Sequence, residues 1–145
     1  VATAKFIDDP DFELFISNLS RQRKNIVDRA LRAGAAVIAD EMRRRLKHVL
    51  SPKATGDLLD GFGFTPVKRR SDGTADVHIG FDGYDRNNVP NQLKARVLES
   101  GAIYKKRKER KAKPFARPAI NAARVKAYEA MKQSVEYDIK KLIGE

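Results

Sequence analysis

Residues Leu98 to Ile120 read LESGAIYKKRKERKAKPFARPAI, and the two halves of this stretch make different demands on the chain. From Lys105 to Lys113, seven of nine residues are basic, interrupted only by Glu109 and Ala112. A block of like charge repels itself, so it reads as a solvated loop, over 104–113, that seeks an acidic partner. Pro114-Phe115-Ala116-Arg117-Pro118-Ala119 follows. Each proline restricts its own φ and the backbone before it, so this half reads as a built corner. Pro118 suits the first turn of a helix. Ile120, Ala123, Ala127, Met131, Val135, Ile139 and Leu142 give that helix an apolar stripe, and Gly144 lies just past its end.

Toward the N-terminus the pattern is again helical. Val27, Leu31, Ala35, Ile38, Met42, Leu46 and Val49 recur at three- and four-residue steps. They predict an amphipathic helix of roughly 28 residues from Ser20 to the Ser51-Pro52 stop. Ala33-Gly34-Ala35-Ala36 is a small-residue patch where another backbone could approach closely. Asp9 as N-cap and Pro10 at the first helical position predict a separate, earlier helix of about ten residues. Its Phe12, Phe15, Ile16 and Leu19 share one face, expected to pack on the sheet.

Between the helices lie strand signals. Phe62, Phe64 and the run from Thr65 to Lys68 predict a strand, with Pro66 pushing it to an edge or bulge. Asp72-Gly73 marks a hairpin, and Ala75, Val77, Ile79 and Phe81 alternate with polar or small residues. A polar loop spans 82–91, and Leu93 to Leu98 form a short element, a helical turn or an edge strand. The order predicts one α+β domain over 1–145, its long N-terminal and C-terminal helices packed on a small antiparallel sheet.

Composition narrows the function classes. The chain has 145 residues, a formal net charge of +11, 41% hydrophobic residues and no Cys. Lack of Cys excludes disulfides, thiolate nucleophiles and thiolate metal sites. No apolar run approaches the ~18 residues of a membrane span, and VATAKFIDDP lacks the apolar stretch of a signal peptide. The positive balance favours phosphate backbones, acidic protein faces or anionic lipid without choosing among them.

The search for chemistry returns scattered candidates. His48 sits near a helix end as a dipole partner, and His78 faces away from the Val77/Ile79 stripe. Asp57 and Asp60 stand three apart in a turn, where capping explains them as well as catalysis does. Gly61-Phe62-Gly63-Phe64 lacks the Lys and the strand–helix setting of a phosphate loop. With no shared constellation, the expectation is a protein that is not an enzyme and uses no metal or cofactor. Tyr104 is the only aromatic beside the basic run, so single-strand stacking is weakly supported.

Taken together, four segments resemble a known family. They are Thr55-Gly56-Asp57-Leu58, Ile79-Gly80-Phe81, Val97-Leu98-Glu99-Ser100-Gly101 and Pro114-Phe115-Ala116-Arg117-Pro118-Ala119. Their order between two long helices resembles the tail-completion, or head–tail joining, proteins of long-tailed bacteriophages, a family that looks related to phage lambda's tail protein Z. The "PF-x-RPA" signature is the most specific part. Ser100 departs from the family's aromatic, Ala102 from its Thr or Ser, and the basic run lengthens the loop before Pro114.

The resemblance implies a non-catalytic structural protein of the virion neck, present in the host cytoplasm during assembly. Its partners would be copies of itself in a ring, a hexamer being favoured, other neck and tail proteins, and DNA in the central channel. Alternatives are a tail terminator or a non-specific nucleic-acid-binding protein. Lys105, Lys106, Arg107, Lys108, Arg110, Lys111 and Lys113 are the expected partner or DNA contacts. Pro114, Phe115, Arg117 and Pro118 are the expected assembly or structural corner. Phe115 would serve there as an apolar anchor or as a core plug, and Arg117 as a bidentate donor or a brace of the helix terminus.

Overall fold

A 40-residue helix, α1 (Pro10–Val49), forms the spine of the computed structural model, which describes residues 10–104 and 108–144. At 1.5 Å per residue it is about 60 Å long. The short first helix and the long second one expected from the sequence are therefore one. Asn18, Leu19 and Ser20 include no Pro or Gly, so nothing in the backbone forces a break there. Pro10 is the first helical residue, as expected; the Asp9 cap lies outside the described residues.

After α1 come the single turn α2 (Asp57–Asp60), then β1 (Phe62–Phe64), β2 (Lys68–Arg69), β3 (Ala75–Asp76) and β4 (Ile79–Phe81). The helix α3 (Asn91–Ser100) follows, then β5 (Ala102–Tyr104), β6 (Lys108–Arg110) and the last helix α4 (Ala116–Ile143). The α+β class is as expected, with the described strands forming three two-stranded antiparallel ribbons. β1 pairs with β4, Phe62 opposite Phe81 and Phe64 opposite Ile79. β2 pairs with β3 across the Asp72-Gly73 turn, where Asp72 accepts hydrogen bonds from the Thr74 N–H and hydroxyl. Pro66 lies between the two ribbons, which the Thr65 N–H bridges by donating to the His78 carbonyl at 2.8 Å.

α1 and α4 form an antiparallel hairpin, shown by Arg29 opposite Asp138 and Gly34 opposite Met131. The small-residue patch works as the sequence suggested. A Cβ on Gly34 would come within 2.7 Å of Met131 Sδ and 3.6 Å of the Ala127 carbonyl oxygen. Ala119, Ala123 and Ala127 are the buried row of α4 facing it, while Ile120 stays 36% exposed. Ala123 and Ala127 belong to the expected stripe, and Met131, Val135, Ile139 and Leu142 continue it half-buried; its first position shifts from Ile120 to Ala119. Close helices leave room for methyl groups, and the larger Ile is displaced toward solvent.

The apolar core sits at the C-terminal end of α1, where Met42, Leu46, Leu58, Phe62, Ala95, Phe115 and Ala119 cluster. Phe81 joins it, 5.2 Å from Phe62 and edge-on to Phe115 at 5.9 Å. Phe15, Ile16 and Leu19 of the N-terminal apolar face are not among the residues of this core cluster. The β2–β3 ribbon meets α1 further along, where the Arg69 guanidinium reaches the Lys24 carbonyl and the Asp28 carboxylate.

The 104–113 loop is also revised. Lys108–Arg110 form β6, paired with Ala102–Tyr104 so that Ile103 faces Glu109 in register. Strand pairing offers the backbone hydrogen bonds that a free loop would have to seek from water. Lys105, Lys106 and Arg107 lie outside the described residues.

Candidate assembly interface

Glu99, near the end of α3, organises the corner. Its carboxylate accepts hydrogen bonds from the backbone N–H groups of Phe115 (2.7 Å), Ala116 (2.9 Å) and Arg117 (3.0 Å). A helix begins with four N–H groups lacking intrahelical partners. In α4 these belong to Phe115, Ala116, Arg117 and Pro118, and proline has none. One carboxylate and one proline therefore account for the entire helix start. Burial raises the Glu99 pKa, but the three N–H donors outweigh it and hold the group below its ordinary value. The positive end of the α4 dipole favours the same ionised form.

Phe115 is 1% exposed and plugs the core. Arg117 and Pro114 remain on the surface, and Pro118 is half-buried. Next to the corner, Gly101 takes φ +75°, and a Cβ there would stand 2.7 Å from the Arg110 carbonyl oxygen. A side chain at Gly101 would collide with β6, so this glycine sets how closely the hairpin returns to α3. The Lys113 N–H then donates to the Leu98 carbonyl at 2.7 Å, tying the end of the basic run to α3.

The described part of the basic run borders a cleft of about 470 Å³ at the C-terminal end of α1. Its apolar lining comes from Val49, Leu50, Leu58 and Leu98, and its cationic lining includes Lys53, Arg110, Lys111 and Lys113. Among the described residues, none of these four cations has an ion-pair partner. Arg86 and Lys94 also line the cleft but are engaged. Arg86 chelates Asp57 through Nε (3.0 Å) and Nη2 (3.1 Å), and its backbone N–H donates to the same carboxylate. These bonds push the Asp57 pKa down and that of Arg86 up. Lys94 pairs with Asp85 at 3.0 Å, and Asp85 also accepts from the Asn87 and Val89 N–H groups, ordering the polar 82–91 loop.

The structure thus brings Arg110, Lys111 and Lys113 to the cleft and sets Phe115 behind it. His48 and His78 are exposed, and His78 lies 3.7 Å from Asp76. The Glu99 clasp and the Asp57–Arg86 clamp were not foreseen. A glutamate ahead of a Gly turn and of a Pro-bounded helix start was the available signal for the first. The second joins residues 29 apart, and no local pattern announces it.

Fold and cleft define an α+β protein built on a long helical hairpin, with a cationic, apolar-floored recess at one end. A family model described as "Bacteriophage HK97-gp10, putative tail-component" matches residues 11–101. That is more than half of the chain, which therefore belongs to the HK97-gp10-like family of bacteriophage tail components. The match agrees with the phage tail-completion resemblance and covers α1, the Thr55–Leu58 turn, the first ribbons and α3. It ends at Gly101, before the basic run and the Pro114–Ala119 corner. No curated protein and no solved structure matches the chain. As a tail component it is a virion protein that meets other tail proteins. Among the described residues no helix is long and apolar enough to cross a membrane.

Proposed function

We propose that this tail component acts at the virion neck, completing the phage tail and joining it to the head. It does so by closing a ring, a hexamer being favoured, around the central DNA channel. Its action is binding rather than catalysis. The observation that carries this reading is the contrast between a locked body and an unsatisfied cleft. Glu99 and Arg86 clasp the corner and the turn, whereas Lys53, Arg110, Lys111 and Lys113 line an apolar-floored recess without partners among the described residues. A preorganised surface loses less entropy on docking, which suits a permanent joint. A closed ring further needs head-to-tail contacts between unlike faces.

Electron microscopy of lysates from a phage lacking this gene tests the reading. Filled heads beside separate, full-length tails are the expected result. Abnormally long tails would instead identify a tail terminator. Strong duplex-DNA binding by the isolated protein, with an affinity falling steeply with salt, would favour the nucleic-acid-binding alternative.

A further inference from the structure

A groove of about 750 Å³ runs along the β1–β4 ribbon, with Phe64, 44% exposed, in its wall. Alternation turns Phe62, Phe64, Ile79 and Phe81 to one side of the ribbon, where Phe62 and Phe81 join the core. The other side carries Gly63 opposite Gly80, then Thr65, whose hydroxyl accepts from the His78 N–H at 3.0 Å. The chain itself demands neither glycine. Neither has a positive φ, and a Cβ built on either meets no atom within 4 Å. Most side chains would fit there and would favour a strand more than glycine does. A strand glycine that the fold does not need marks a place where something from outside comes close.

Charge chooses the occupant. The chain has 30 Lys and Arg, yet none of them lines this groove, and Asp82 is its one carboxylate. DNA or an acidic protein would find no cation to hold it there. A second copy of this cationic chain can approach without setting cation against cation. In a sheet, a flat aromatic ring covers glycine well. Among the exposed tyrosines, Tyr137 has Lys141 over its ring at 5.1 Å, and Tyr84 is bridged to Pro90 within the 82–91 loop. Tyr128, 71% exposed, stands one turn from Val125, 66% exposed, on α4. Neither of them lines the groove. Arg124 and Lys132 flank them together with Glu129, so two cations against one anion leave this patch positive, opposite in sign to Asp82. We propose that Tyr128 of one copy lies across the Gly63–Gly80 pair of the next, with Val125 against Phe64. The contact joins unlike faces of identical chains, so it repeats head to tail. It rests on the ring reading and deepens it by naming the two faces that meet.

The test measures the molar mass of the full chain by analytical ultracentrifugation over a range of concentration. Gly80→Val fills the place the ring would take, and Tyr128→Ala removes the ring. Each should weaken self-association by about tenfold or more. The melting temperature of Gly80→Val should equal or exceed that of the wild type, because its Cβ has room and valine favours strands. Tyr128→Ala should melt with the wild type, since its side chain is exposed. The chain has no Cys, so a short bismaleimide should join Gly80→Cys chains to Tyr128→Cys chains in a mixture and join neither variant to itself. Wild-type-like association of either first variant, a lowered melting temperature for Gly80→Val, or a mixture that does not cross-link would overturn the contact. So would cross-linking of Gly80→Cys alone, which would set ribbon against ribbon, or a wild type that stays monomeric at every concentration. The ring reading is judged separately, by the micrographs.

Discussion

Glu99 concentrates more of the structure in one side chain than its place in the sequence suggests. Replacing it with Ala leaves three N–H groups at the start of α4 without their acceptor, and capping losses of this kind cost about 0.5–2 kcal/mol. Urea unfolding should register that loss. The pH dependence has a definite sign. Because the folded-state pKa lies below the ordinary 4.5, the contribution is complete above pH 4.5. It is lost as pH falls through the folded value. Melting temperatures from pH 7 to pH 3 should therefore decline on the acid side, and Glu99→Gln should decline less steeply. Part of the decline will remain. Glu41, held at about 2 by Arg44 and Arg45, and Asp57, lowered by Arg86, titrate in the same direction. Phe115→Ala should cost about 3 kcal/mol or more through the cavity it opens; an unchanged denaturation midpoint would show that the ring is not part of the core.

The elements depend on how closely the two long helices approach. Gly34→Ala trades a gain of about 1 kcal/mol in helix propensity against moving the flexible Met131 side chain. Gly34→Leu cannot be absorbed in this way, since the Ala127 carbonyl oxygen already lies 3.6 Å from the Cβ position. It should lower stability by about 1–3 kcal/mol in thermal or urea unfolding. The helices were legible because their apolar residues repeat with helical spacing over many turns. The ribbons were legible as alternation around Asp72-Gly73, and Pro66 as an interruption. The continuity of α1 was not, because polar residues at Asn18 and Ser20 resemble a boundary and only tertiary structure shows the helix passing through them. Leu93–Leu98 was ambiguous because a short apolar run fits either period, and α3 resolved it as a helix. The pairing of Lys108–Arg110 with Ala102–Tyr104 was hidden for another reason. A like-charged run carries no hydrophobic alternation to reveal a strand.

For the whole molecule the decisive property is where charge goes unanswered. Asp57, Asp85, Asp28 and Glu41 each satisfy basic partners within the chain, so the 30 Lys and Arg overstate the cations open to a neighbour, while the net charge of +11 survives the pairing. Neutralising Lys105, Lys106, Arg107 and Lys108 together should leave the melting temperature within about a degree or two, since a run of like charges forms few stabilising pairs of its own. It should reduce the yield of infectious virions; a normal yield would remove this part of the run from the joint. The sequence by itself determined the two amphipathic helices, the α+β class and the family, because periodicity and short-range motifs are local properties of the chain. Only the tertiary structure decided that Phe115 is core, that Glu99 starts the last helix, and that four cations share a cleft with the end of α1. Those facts depend on which distant residues meet, and burial and pairing at long range leave no mark on local spacing.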